Sequence, residues 1–203
     1  MFKNLLEVAA HPTSIFALLG IALLIFSLLS IKKIKLTTKI IVNIALMLAL
    51  AIILHQIRLY HMPQGGSITL GSMIPLLFIA FRYGANIGYL TGFIYGLINL
   101  ILNPFILHPV QVLFDYPLPY MALAIAGYTP KHQLIGTTIA VFSRFLCHFI
   151  SGSVFFAAYA PADTSPYVYS FVFNISYILP ELVITIILLK LLPTKILLNQ
   201  MKA

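Results

Sequence analysis

Charged residues are scarce in this sequence: they make up 8% of its 203 residues, against roughly 25% in soluble domains. Hydrophobic residues, in contrast, make up 61%. A soluble fold of this size cannot bury so much apolar surface, because a folded protein must still present a wetted exterior. The composition therefore excludes a soluble domain and predicts an all-α, polytopic membrane protein.

Several catalytic motifs are missing as well. The sequence has no G-x-x-x-x-G-K-[ST] phosphate loop, no H-E-x-x-H metal motif and no G-x-S-x-G nucleophile elbow. We therefore predict that the chain is not an enzyme, does not hydrolyse ATP by the P-loop route, and binds no cofactor or metal. The single cysteine, Cys147, lies in an apolar run and carries no information on the redox compartment.

Apolar runs long enough to cross a bilayer, about 20 residues each, divide the chain into seven predicted spans. They cover residues 13–31, 37–59, 68–82, 85–103, 109–127, 133–157 and 167–193. The first is separated from the others by a basic linker, which predicts an added N-terminal helix with its linker at 1–36 and a six-helix unit at 37–203. The third run is short, so it is expected to tilt, break or start in a loop.

The net charge of +8 is explained by membrane topology, because the lysines and arginines are scattered between apolar spans. We therefore predict no nucleic acid partner. Most of the basic residues lie on one side of the membrane in this arrangement of spans: those of the linker at 32–39, Arg82, Lys131, Lys190, Lys195 and Lys202. Only Lys3 and Arg58 lie on the other side. The positive-inside rule therefore predicts a cytoplasmic C-terminus and, with seven spans, an N-terminus outside a bacterial cell membrane.

Small residues at intervals of four predict close helix packing. Gly84, Gly88, Gly92 and Gly96 form such a stripe in the fourth span, and packing within the chain is the favoured interpretation. Ala45 and Ala49 have the same spacing in the second span.

Ionisable residues at membrane depth are costly and are therefore candidates for function. With a rise of about 1.5 Å per residue, Asp115 lies roughly 10 Å and His148 roughly 14 Å from the outer ends of their helices. On the last helix, Asn174 and Tyr169 enter from the same side to roughly 10 Å and 4 Å, and Arg144 lies one turn below His148. This convergence predicts a cavity that opens to the outside.

The alternative is that Asp115 and Arg144 form a buried ion pair that only fixes the packing of the helices. Glu181, which follows Pro180 in the last span, is interpreted separately. We expect its carboxylate to satisfy backbone groups freed by the proline, and we place it outside the site.

Five segments carry a resemblance to a known family. They are MPQGGSITLGSMIP at 62–75, FRYG at 81–84, HPVQVLFDYPL at 108–118, RFLCHFISG at 144–152 and YSFVFN at 169–174. In this order they resemble the thiamine-specific substrate-binding (S) components of energy-coupling-factor (ECF) transporters. The resemblance covers about residues 37–193 and implies six core helices, an outward-facing vitamin site and no ATPase activity in this subunit.

The resemblance also implies roles for individual residues. The residues that it places at or near the ligand are Asp115, Tyr116, Arg144, His148, Gly152, Tyr169 and Asn174, with Phe105 and Phe156 as stacking faces. Gln64, Gly65, Gly66 and Ser67 would form a lid. Ala45 and Ala49 resemble the surface that docks on the transmembrane coupling subunit, which two ATPase subunits would drive.

The chemistry of thiamine fits these residue types. A carboxylate attracts the thiazolium cation, aromatic faces add roughly 0.5–2 kcal/mol each by cation–π contact, and Asn and His can satisfy the pyrimidine edge. The sequence departs from the family in lacking tryptophan, which some members stack on the ligand; Gly66 and Phe156 occupy the matching positions. Two alternatives stay open: an S component for a related ring compound such as a thiamine precursor, and a helical membrane protein whose polar cluster is only structural.

Overall fold

The computed structural model describes residues 12–31 and 34–201. In chain order the elements are α1 (Pro12–Ile31), α2 (Thr38–Gln56), β1 (Arg58–His61), β2 (Ser67–Thr69), α3 (Ile74–Tyr83), α4 (Ala85–Leu102), α5 (Pro109–Asp115), α6 (Pro117–Ala122), a 3-10 segment (Leu123–Tyr128), α7 (Gln133–Phe155), a 3-10 turn (Ala157–Tyr159), α8 (Pro166–Leu191) and α9 (Thr194–Gln200). Four lysines that bear on the topology prediction lie outside the described residues: Lys3, Lys32, Lys33 and Lys202.

Four described helices, α2, α4, α7 and α8, are long and apolar enough to cross a bilayer. They have 18 to 26 residues and a mean hydropathy between 1.5 and 2.1. Large apolar side chains cover their outer faces: on α2, for example, Leu46 and Ile53 are 61% and 60% exposed. Water would disfavour such a surface, whereas lipid tails solvate it. A helical membrane protein is therefore confirmed, while the number of seven spans stays a prediction.

The third predicted span differs from a complete membrane helix. It begins in strand β2, and α3 has only ten residues, from Ile74 to Tyr83. Eight of these residues, 74–81, are buried, so α3 lies in the centre of the bundle with other helices around it. Strands β1 and β2 form an antiparallel hairpin before it, which corrects the all-α prediction in this one detail.

The fifth predicted span, 109–127, is broken into α5, α6 and the 3-10 segment. Pro117 causes the first break, because proline lacks an N–H group and its ring clashes with the carbonyl four residues earlier in a helix. Tyr116, the residue before it, is distorted from ideal helical geometry, with φ −118° and ψ −77°. The prediction of one continuous helix here is therefore wrong, and the break lies directly after Asp115.

The glycines of α4 allow the broken segment to come close. A Cβ atom at Gly92 or Gly96 would clash with the backbone carbonyls of Tyr120 or Tyr116. This agrees with the packing interpretation of the stripe. Gly84 has a different role, because it lies in the turn between α3 and α4 with φ +84° and has open space around its Cα.

Candidate functional site

A cavity of about 260 Å³ lies between the hairpin, the end of α4, the α5–α6 break, α7 and α8. This is close to the lower end of the roughly 300–1,000 Å³ that small-molecule sites occupy. All of the residues proposed to bind a ligand line it: Phe105, Asp115, Tyr116, Arg144, His148, Gly152, Phe156, Tyr169 and Asn174. The four lid residues at 64–67 line it too. The structure thus brings together side chains that are up to 110 positions apart in the sequence.

Asp115 is oriented by two neighbours. Gln111 Nε2 donates a hydrogen bond to Asp115 Oδ2 at 2.6 Å, and His148 Nδ1 lies 3.4 Å from Asp115 Oδ1. Gln111 is completely buried and is itself held by the backbone of Phe105 and Leu107. A carboxylate has about four acceptor positions, so these contacts leave capacity for a ligand.

Tyr116 ties the loop after α4 to the break between α5 and α6. Its hydroxyl donates a hydrogen bond to the Asn103 carbonyl at 2.8 Å and accepts one from the Phe105 N–H at 2.7 Å. The Phe105 ring is thereby held against Phe156, with ring centroids 5.7 Å apart and an angle of 18° between the planes. These two stacked rings form an aromatic wall of the cavity.

Arg144 does not pair with Asp115. Its Nη1 atom lies 3.4 Å from Glu181 Oε2, and its guanidinium lies 4.9 Å from the centroid of the Tyr120 ring. The alternative of a buried Asp115–Arg144 pair is therefore wrong. The physical reason is that α8 presents a closer carboxylate to α7 at the depth of Arg144.

Glu181 is also placed differently from the sequence prediction. Its Oε1 atom accepts hydrogen bonds from the backbone N–H and the hydroxyl of Thr69, at 3.1 and 2.6 Å. These groups belong to β2 and not to the backbone around Pro180. Because Glu181 also lines the cavity, its assignment to a position outside the site is wrong.

Asn174 is held by hydrogen bonds within α8 and by one to α7, in which its amide nitrogen donates to the His148 carbonyl at 3.3 Å. Its amide nitrogen donates to the Ser170 carbonyl at 2.8 Å, and its amide oxygen accepts from the Tyr177 hydroxyl at 2.9 Å. Gly152 makes this approach possible, since a Cβ atom there would clash with Ser170 Oγ. The amide is therefore fixed in one orientation beside His148.

The lid lies over Tyr177. Gly65 and Gly66 have φ angles of +92° and +86°, in the region that favours glycine. A Cβ atom at Gly66 would lie 2.8 Å from the Tyr177 ring. A larger residue at this position would therefore displace the lid or the tyrosine.

Sequence reasoning missed part of the cavity wall. The additional lining residues include His55, Arg58, His61, Asn99, Asn103, Tyr120, Ser170, Phe173 and Tyr177. Several of them are polar residues at the ends of apolar runs, and this signal could have identified His55, Asn99 and Asn103. The aromatic residues carry no comparable signal, because the sequence has 11 tyrosines and 15 phenylalanines.

Several buried polar atoms in the wall have no partner within the protein. Within residues 12–31 and 34–201, these atoms include Arg58 Nε, Asn103 Nδ2, Arg144 Nε and His148 Nε2. Burying such groups unpaired costs about 1–3 kcal/mol each. These atoms expose almost no surface to the cavity, so other contacts of the bundle offset this cost.

Comparison with known proteins decides the family. A family model described as "Thiamine transporter protein" matches residues 41–200, which is most of the chain. The chain belongs to the thiamine transporter family. The resemblance to thiamine-specific S components is thereby confirmed, and so is the prediction that the chain is a transport protein and not an enzyme.

Individual relatives agree with this assignment. The thiamine transporter ThiT of Bacillus subtilis (strain 168) is 36% identical over 170 residues, which cover 74% of this chain and 88% of ThiT. The ThiT protein of Lacticaseibacillus paracasei is 30% identical over 142 residues, covering 60% of this chain and 71% of that protein. A solved structure of ThiT from Listeria monocytogenes superposes with a TM-score of 0.68 at 25% identity, covering 79% of this chain and 93% of that one.

Proposed function

We propose that this chain is a membrane-embedded S component that binds thiamine from outside the cell for uptake. The observation that carries the proposal is the Asp115 carboxylate, held by Gln111 and His148 in a lidded, partly aromatic cavity. At 4 Å and an effective dielectric constant of about 20, a carboxylate attracts a cation such as thiazolium by about 4 kcal/mol. The names of the relatives independently point to the same vitamin.

The remaining cavity chemistry is suited to the rest of the ligand. The Phe105–Phe156 wall offers an apolar face to a flat ring, and His148 and Asn174 lie beside it with polar groups. A site that hydrogen-bonds the polar edge of a ring discriminates strongly against analogues that lack it. Phe105, Phe156 and Tyr169 would therefore supply the stacking that some members of the family obtain from tryptophan.

Titration with thiamine and with its two halves tests the ligand. Calorimetry on the purified protein is expected to show thiamine binding well below micromolar concentration, with much weaker binding of the separate aminopyrimidine and thiazolium compounds. Equal affinity for the aminopyrimidine alone would instead support the thiamine-precursor alternative. No binding at micromolar thiamine would refute the proposed function and favour the purely structural polar cluster.

We further propose that uptake depends on a transmembrane coupling subunit and two ATPase subunits. The sequence has no P-loop, so ATP-driven uptake would need ATPase subunits as partners. Ala45 and Ala49 lie exposed on the outer face of α2, which supports their role as a flat surface for a partner helix. The family match begins at residue 41, which supports the division into an added helix at 1–36 and a binding unit at 37–203.

The proposed orientation places the cavity outside and the C-terminus in the cytoplasm. It can be tested in a Cys147→Ser background with single cysteines at exposed positions, Asp163→Cys beyond α7 and Lys195→Cys in α9. A membrane-impermeant thiol reagent is expected to label only the Asp163→Cys variant in intact cells. Labelling of Lys195→Cys alone would reverse the orientation.

A further inference from the structure

The lid hairpin is attached at its base to two different parts of the bundle. Arg58 in β1 and Thr69 in β2 are paired across the hairpin. Arg58 Nη2 donates a hydrogen bond to Asn103 Oδ1 at 2.6 Å, and Asn103 follows the last residue of α4. Thr69 contacts Glu181 on α8. A single cross-strand pair thus carries both attachments.

The attachment through Glu181 comprises more contacts than the attachment through Asn103. Its Oε1 atom accepts two hydrogen bonds from Thr69, while its Oε2 atom lies 3.4 Å from Arg144 Nη1 on α7. Thr69 and Glu181 are only 1% and 3% exposed. Hydrogen bonds to an ionised group are shorter and roughly twice as strong as neutral ones. One buried carboxylate therefore joins the hairpin, α8 and α7.

The tip of the hairpin is held differently. Among the described residues, its hydrogen bonds run within the hairpin: Met62 N to the Gly66 carbonyl at 2.9 Å, Gly65 N to the Met62 carbonyl at 3.2 Å, and His61 Nδ1 with Ser67 Oγ at 2.9 Å. Gly66 rests on the ring of Tyr177 by van der Waals contact. The tip can therefore leave the bundle without breaking a hydrogen bond to it, whereas the base cannot.

We propose that Glu181 is a positioning residue that, together with Asn103, makes the hairpin base a fixed hinge on which the tip opens and closes over the ligand. The inference rests on the proposed function, because the ligand retained is thiamine. Entry and exit then require movement of residues 62–66 only. Loosening the base allows the whole hairpin to lift, which speeds the release of bound ligand more than it changes entry.

Thr69→Val is the direct test, because it removes the hydroxyl bond to Glu181 while preserving side-chain shape and the backbone bond. It also removes the contacts of that hydroxyl with Ser72 at 2.8 and 3.2 Å, and these join Thr69 only to the next turn of the chain. Thiamine release is measured by chasing labelled thiamine with an excess of unlabelled thiamine. Loss of one hydrogen bond to a charged group is expected to raise the dissociation rate about tenfold or more. The association rate is expected to stay within about twofold, since the ligand still enters past the tip.

Three further variants make the comparison specific. Asn103→Leu removes the acceptor for Arg58 and is expected to speed release in the same direction. Thr69→Ser keeps the hydroxyl and is expected to restore slow release. Thr91→Val is the matched control, because Thr91 is equally buried but bonds only to the Ile87 carbonyl in its own helix.

Hydrogen exchange of the unliganded protein supplies a second readout. Faster exchange confined to residues 58–69 in Thr69→Val would support the hinge. Unchanged release and exchange in both Thr69→Val and Asn103→Leu would overturn it, as would equal acceleration in Thr91→Val. If the native protein binds no thiamine, the proposed function fails, while the exchange comparison still decides whether the base is a hinge.

Discussion

Replacing Asp115 with asparagine tests the electrostatic basis of the proposed site. The amide keeps the size of the carboxylate, and its oxygen can still accept the hydrogen bond that Gln111 Nε2 makes at 2.6 Å. The substitution therefore removes the negative charge while leaving the packing around the α5–α6 break in place. A change in affinity would then report on charge.

The magnitude follows from Coulomb attraction. A full interaction at 4 Å with an effective dielectric constant of about 20 is worth about 4 kcal/mol. The Asp115 side chain is 17% exposed, so solvent screens part of this attraction. We expect a loss between about 1.4 and 4 kcal/mol, or roughly tenfold to a thousandfold in the dissociation constant.

The assay is calorimetric titration with two ligands. Thiamine is compared with an analogue in which a neutral ring replaces the thiazolium. Asp115→Asn is expected to weaken thiamine strongly and the neutral analogue little, because only the former carries the cation. Asp163→Asn is the matched control: it removes the same charge from an exposed loop outside the cavity, where solvent screens it.

Two results would refute the reasoning. Unchanged thiamine affinity in Asp115→Asn would remove the carboxylate from the site. An equal loss for thiamine and its neutral analogue would show that the substitution acts through structure, and the cation would then need another partner.

Three other perturbations test different parts of the structure. Glu181→Leu leaves the Arg144 charge buried and unpaired, so it is expected to cost about 3–5 kcal/mol of stability, whereas the Arg144→Met/Glu181→Leu double variant is expected to lose less. Thermal unfolding in detergent compares the two variants, and equal losses of stability would contradict a buried ion pair. Gly66→Ala is expected to weaken thiamine binding several-fold in calorimetric titration, because the φ angle of +86° and the Tyr177 ring both oppose a Cβ atom. Unchanged affinity would place the lid elsewhere when ligand is bound. Ala45→Trp is expected to abolish co-purification with the coupling subunit but not thiamine binding. The control Leu46→Trp, at the next exposed position of α2, is expected to keep both co-purification and binding. Loss of co-purification in both variants would argue against a specific alanine surface.

The distance of each polar residue from the end of its predicted helix could be estimated from the sequence, because each residue advances the helix by a nearly constant distance of about 1.5 Å. This is why the sequence alone could group Asp115, His148, Tyr169 and Asn174. The scarcity of charge likewise indicated lipid as the solvent. Neither inference needs knowledge of which helices are neighbours.

Which charged side chains pair with each other could be determined only from the tertiary structure. Whether Arg144 pairs with Asp115 or with Glu181 depends on the rotation and separation of α7 and α8, and sequence spacing describes neither. The attachment of Thr69 to Glu181 joins residues 112 positions apart, beyond the reach of any local pattern. The break at Pro117 has a local cause, because proline interrupts a helix. The position of the lid hairpin was decided by tertiary contacts, because its base is held by Asn103 after α4 and by Glu181 on α8.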